Sequence, residues 1–142
     1  MSRAYVPQPG QRIAVKLDSG VNAAGQTLTA TDNTGTIKPK GANRVGLAIA
    51  IGSVTGTSPT LDITLQVSYD NGTTWWSLPA SANSQTGAAF AQITATGNHV
   101  EWYEICSDPE FTQIRAVLTV GGTTPVFPIS SAYWITDFVA KG

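Results

Sequence analysis

The most regular stretch of the chain is Leu61, Ile63, Leu65 and Val67, interleaved with Asp62, Thr64, Gln66 and Ser68. A period of two sends successive side chains to opposite faces, so this stretch predicts a strand with one buried and one wet face. Just upstream, Val45, Leu47, Ile49 and Ile51 alternate with Gly46, Ala48, Ala50 and Gly52. Here the second face is small and apolar, which lets another backbone or a partner approach closely. Less regular strands are predicted over 13–17, 26–31, 35–38, 74–78, 89–94, 99–105, 111–120 and 126–136, separated by Gly, Pro, Asn and Asp clusters. About ten short strands at this spacing predict an all-β fold, an antiparallel sandwich of two sheets or a jelly roll. Helical periodicity leaves room for a single turn, at 108–111.

Two loops repeat at a fixed offset. Gly56-Thr57-Ser58-Pro59 recurs 66 residues later as Gly122-Thr123-Thr124-Pro125, each after a hydrophobic strand. Glycine admits positive φ and proline begins a strand where no ladder N–H is needed, so the pair predicts two hairpins in equivalent places of a pseudo-symmetric sandwich. The first 25 residues, with Pro7-Gln8-Pro9-Gly10, are loosely patterned and predict an extended N-terminal arm, leaving 26–142 as one sandwich domain.

Composition narrows the function. Only 12% of the 142 residues are charged and the net charge is −1, which argues against a nucleic-acid partner, whose affinity comes from Lys and Arg neutralising phosphates. No run of 18 apolar residues predicts a membrane span, and Pro7 to Gly10 interrupt the stretch a secretory signal would need, so the chain is expected to be made and kept in a cytoplasm. One cysteine, Cys106, and one histidine, His99, exclude a Cys/His metal cluster or a disulfide framework within one chain. Catalytic chemistry is also poorly supplied. Glu101 and Glu104 are three apart on a strand and face opposite sides, and Asp108 and Glu110 flank Pro109 in a loop. Cys106 reads as a small buried hydrophobe and His99 as a polar residue at a strand start. The expectation is a protein that is not an enzyme and carries no cofactor or metal.

Ser68-Tyr69-Asp70-Asn71-Gly72-Thr73-Thr74-Trp75 is similar to the Asp-box of sialidases and other β-propeller proteins, in the pattern S-x-D-x-G-x-T-W. The box is a hairpin device: Asp70 accepts backbone N–H groups across the turn, Gly72 takes a φ that side chains resist, and Trp75 packs beside it. One box in a chain of this length cannot build a propeller.

Three aromatic pairs, Trp75-Trp76, Trp102-Tyr103 and Tyr133-Trp134, each offer one member to the core and one to an outer face. Trp76, Trp102, Tyr133 and Trp134 are therefore the candidate interface residues. Charge is uneven as well, +4 over residues 1–50 and −5 over 51–142, which predicts attraction between unlike parts of neighbouring subunits.

The run from Val54 through Trp76, with Gly121-Gly122-Thr123-Thr124-Pro125, resembles small β-sandwich virion proteins of tailed bacteriophages. The resemblance covers about a third of the chain, and head decoration (cement) proteins fit its size and composition best. It implies a protein of the capsid surface, assembled in the host cytoplasm, that binds the major capsid protein, bridges neighbouring capsid subunits, and forms a homotrimer. The alternative is a carbohydrate-binding β-sandwich that stacks sugars on Trp76, Trp102 or Trp134.

Overall fold

A computed structural model describes residues 11–16, 27–34, 36–38, 44–105 and 113–138. The eight strands among these residues are β1 (Gln11–Lys16), β2 (Thr27–Leu28), β3 (Asp32–Asn33), β4 (Arg44–Ile51), β5 (Thr55–Ser68), β6 (Trp76–Ser77), β7 (Gly97–Glu104) and β8 (Gln113–Phe138). All the pairings between them are antiparallel. The helical turn described is a 3-10 turn at Ala80–Ala82, while the turn expected at 108–111 lies outside the described residues.

The organising element is β8, 26 residues long. Kept straight it would run about 85 Å, more than twice the width of a domain this size, so it has to bend and serve two layers. Its first half lies between β5 and β3, and its second half between β4 and β1. Adding β7 beside β4 and β6 beside β5 completes the layers β7-β4-β8-β1 and β6-β5-β8-β3. The protein is an all-β antiparallel sandwich, as its strand pattern predicts. Val45, Leu47, Ile49 and Ile51 from one layer and Leu61, Ile63, Leu65 and Val67 from the other are all buried and belong to one core.

Several expected elements differ from those observed. The strands expected at 111–120 and 126–136 are one strand, and the one expected at 89–94 shrinks to a bridge between Ile93 and Leu61. Gln11–Lys16, which falls inside the expected arm, pairs residue by residue with Lys16↔Tyr133 through Gln11↔Phe138 and is a strand of the sheet.

The repeated loops are not hairpins. Thr57 pairs with Thr123, so the two segments lie side by side where the start of β5 meets the middle of β8, with register irregularities on either side. They clasp each other reciprocally. A Cβ placed on Gly56 would stand 2.7 Å from the Thr124 carbonyl oxygen and 2.9 Å from Pro125 Cα; one on Gly122 would stand 2.6 Å from the Ser58 oxygen and 3.0 Å from Pro59 Cα. Positive φ recurs at matching places, 115° and 49° at Gly56 and Ser58, 103° and 46° at Gly122 and Thr124. The 66-residue repeat is thus a local two-fold clasp at the bend.

The side chains of β8 that point inward change parity across the clasp, although the register on its two sides is the same, Thr55↔Val126 and Thr60↔Gly121. Before it Ile114, Ala116 and Leu118 are buried; after it Phe127 and Ile129 are; and beyond the irregularity at Ala50/Ile51 the buried set is Ala132, Trp134 and Thr136.

Candidate functional site

The outer face of the β7-β4-β8-β1 layer is built around the small residues of β4. In register, Ala48 lies between Val100 of β7 and Tyr133 of β8, and Ala50 lies between Asn98 and Ser131. Two alanines between taller neighbours leave a trough, and a cavity of about 360 Å³ is lined by these six residues together with Ile49 and His99. Tyr133 and Val100 stand on its walls with 36% and 45% of their surface exposed. Large hydrophobic side chains are rarely left this open on a flat strand, and here they flank a concave floor.

The same face is shut one step further along. Gly46 lies between Trp102 and Ile135, and the Trp102 ring comes within 3.0 to 3.1 Å of where a Cβ on Gly46 would stand. The indole lies across the glycine, with the Arg44 guanidinium over the ring at 5.1 Å from its centroid.

These positions correct the expected interface. Trp134 is fully buried, opposite Leu47 and inside the core, because the slip in β8 turns its even-numbered residues inward at this end. Trp102 is only 8% exposed. Neither can offer a ring to a partner. Tyr133 and Trp76, at 36% and 59%, do stand outward, and Tyr69 is similarly open. The signal that could have found the trough was the Gly46, Ala48, Ala50 alternation, which marks the floor but not its walls.

The Asp-box forms the hairpin device its sequence predicts. Ser68 Oγ donates to Asp70 Oδ1 at 2.8 Å and accepts from the Gly72 amide at 2.8 Å. Asp70 Oδ1 also accepts from the amides of Thr74 at 2.7 Å and Thr73 at 3.1 Å. Gly72 has φ of 90°, and its carbonyl accepts from Trp75 Nε1 at 3.1 Å. The Arg115 guanidinium covers the Trp75 ring at 4.2 Å. The Thr74 amide first, and then the Ser68 hydroxyl, hold the Asp70 carboxyl below the usual aspartate range. A folded value below the unfolded one means that this contribution is present at neutral pH and fades as pH falls through the carboxyl's titration. Asp70→Ala is expected to lower the urea midpoint at neutral pH, with the gap to the parent protein closing in strong acid; a gap independent of pH would contradict the assignment.

The two glutamates divide as expected. Glu104 is exposed, whereas Glu101 is buried, its Oε2 accepting from Asn83 Nδ2 at 2.8 Å and its Oε1 from the Ala91 amide at 3.2 Å. Asn83 in turn accepts the amides of Gln85 and Thr86. This node ties the segment between β6 and β7 to the sandwich, a structural role that strand parity alone did not suggest. Burial, followed by the charge of Glu101, pushes the neighbouring Tyr103 phenol up to about 12. His99 is half-buried in β7 and its Nε2 has no hydrogen-bond partner among the described residues, while Cys106 lies outside them. Among the described residues, no three His, Cys, Asp or Glu side chains gather where a metal could be held, and no helix is long and apolar enough to cross a membrane.

The charge imbalance along the chain is interleaved within one layer. Arg12 and Arg44 of the cationic half both lie in register with Asp137, and Arg44 also with Glu104. The imbalance therefore gives no support to a ring of unlike patches.

No protein-family model and no curated protein matches the chain. Among solved structures, the CBM22-1 xylan-binding domain of Xyn10C from Paenibacillus barcinonensis aligns over 96% of this chain and 100% of its own, with a TM-score of 0.51 and 11% identity. The two share a β-sandwich fold. The xylan-binding module CBM15 aligns over 92% of this chain and 100% of its own, with a TM-score of 0.44 and 13% identity.

Proposed function

We propose that this protein is a non-catalytic binding module whose trough takes a carbohydrate. The observation that carries the reading is the exposed Tyr133 ring beside the Ala48 floor, with Asn98 and Ser131 at the next step. An aromatic wall packs against the C–H face of a sugar ring, while an amide and a hydroxyl a few ångströms away exchange hydrogen bonds with its hydroxyls. The shared fold with a xylan-binding domain supports it. The stacking residue in this reading is Tyr133, in place of the tryptophans expected from sequence.

Titration calorimetry with neutral β-1,4-linked oligosaccharides of xylose, glucose and mannose tests the proposal. Tyr133→Ala is expected to weaken binding roughly tenfold or more, the loss of more than about 1 kcal/mol typical of a central aromatic contact. Ala48→Leu, which fills the trough from its floor, is expected to weaken it as much, and both variants should keep the parent melting temperature within a few degrees. Full affinity in both would sink the assignment of this face.

A second reading is a head-decoration protein of a tailed bacteriophage, bound as a homotrimer to the major capsid protein on the virion surface. It rests on the resemblance of Val54 to Trp76 to such proteins and on Tyr69 and Trp76, which stand open at the Asp-box end of β5. Silence toward glycans together with saturable binding to expanded capsids, lost in Trp76→Ala, would put this reading first.

A further inference from the structure

We infer that the trough takes the end of a saccharide chain, about two rings at most, and not an internal stretch of a long polymer; the inference rests on the carbohydrate reading. Exposure along the face carries it. At the Ala48 and Ala50 steps both alanines are only half-buried and their neighbours Val100, Asn98 and Tyr133 are open. At the Gly46 step the glycine itself is buried and Trp102, although it belongs to the outer face by register, keeps only 8% of its surface. The indole lies on Gly46 with Arg44 above it, so the trough is filled at this step.

A sugar chain laid along β4 therefore meets a wall on one side and open surface on the other. Ligands in such a dead end are recognised by their terminus. The cavity of about 360 Å³ agrees, since it lies at the small end of the range for small-molecule sites and is too short for an extended polymer.

Calorimetry with a ladder of neutral β-1,4-linked oligosaccharides, from monosaccharide to hexasaccharide, tests the length. Affinity should rise to the disaccharide and then stay within about twofold. Partial cleavage of the parent polysaccharide at constant mass should raise its binding capacity in proportion to the new chain ends. Affinity that climbs roughly tenfold from di- to hexasaccharide, with capacity unchanged by cleavage, would overturn the inference and leave the carbohydrate reading intact. Silence toward every ladder would instead overturn the carbohydrate reading itself, and this inference with it.

Discussion

Gly122→Ala is expected to destabilise the protein by about 3 kcal/mol or more, and Gly56→Ala by a similar amount. Two costs add at each site. Both glycines have φ above 100°, where an alanine is strained, and both would drive a methyl group to within 3 Å of backbone atoms of the opposite segment. Backbone cannot swing aside as the end of a flexible side chain can, so the ribbon has to open. Gly87→Ala is the control. Its φ of 65° is also positive, but a Cβ there meets nothing within 4 Å, so only the strain term of about 1 kcal/mol remains. Urea denaturation of the three variants separates the terms. Because the two clasp glycines face one another's segments, the double variant should cost less than the sum of the singles: once one side of the clasp has been forced apart, the other has room. Strict additivity, or equal costs at Gly87 and Gly122, would contradict the two-fold clasp.

Trp134→Ala is expected to cost about 3 to 5 kcal/mol, the range for emptying a buried aromatic site. That is a large share of the roughly 5 to 15 kcal/mol that holds a typical domain together, and it should lower the melting temperature by about 10 °C or more. Trp134 lies across from Leu47, with both fully buried, so its neighbours are held by the β4–β8 ladder and cannot collapse into the space. Trp76→Ala should behave oppositely, changing stability by no more than about 0.5 kcal/mol because the ring is mostly in water already. Thermal melts of the two variants compare them directly. A mild Trp134→Ala would mean that the even-numbered residues at this end of β8 do not face the core and would return that tryptophan to the surface.

The contrast between these tryptophans marks where local pattern is informative. For Tyr133 and Trp134 the alternation rule correctly sends one side chain in and one out, but which goes in depends on the register slip at Ala50/Ile51. Nothing in the sequence of β8 alone counts that extra residue. Trp102 is harder still: its parity places it on the outer face, yet it is covered, because Gly46 on the neighbouring strand makes a seat for the ring. The Asp-box was legible because all its partners lie within a few residues of one another, so the hydrogen bonds of Ser68 and Asp70 needed no other part of the chain. The 66-residue repeat was visible as well, but its meaning was not. Two matching Gly-Thr-Ser/Thr-Pro segments are equally compatible with two separate turns and with one mutual clasp until the pairing of Thr57 with Thr123 is known.

By itself the sequence determined that this is a β protein with a narrow charge inventory, strands at 44–51 and 61–68, and a self-contained turn after Ser68, since each of these follows from side-chain alternation or from contacts a few residues long. Tertiary structure alone decided that two expected strands are one, that 11–16 joins the sheet, that Trp102 and Trp134 are covered, and that Ala48, Asn98, Val100, Ser131 and Tyr133 form a trough. The trough's floor comes from β4 and its walls from β7 and β8, with Ala48 about fifty residues from Val100 and Val100 about thirty from Tyr133 along the chain. Their meeting is set by strand pairing and register, which are properties of the whole sheet and leave no trace in any single segment.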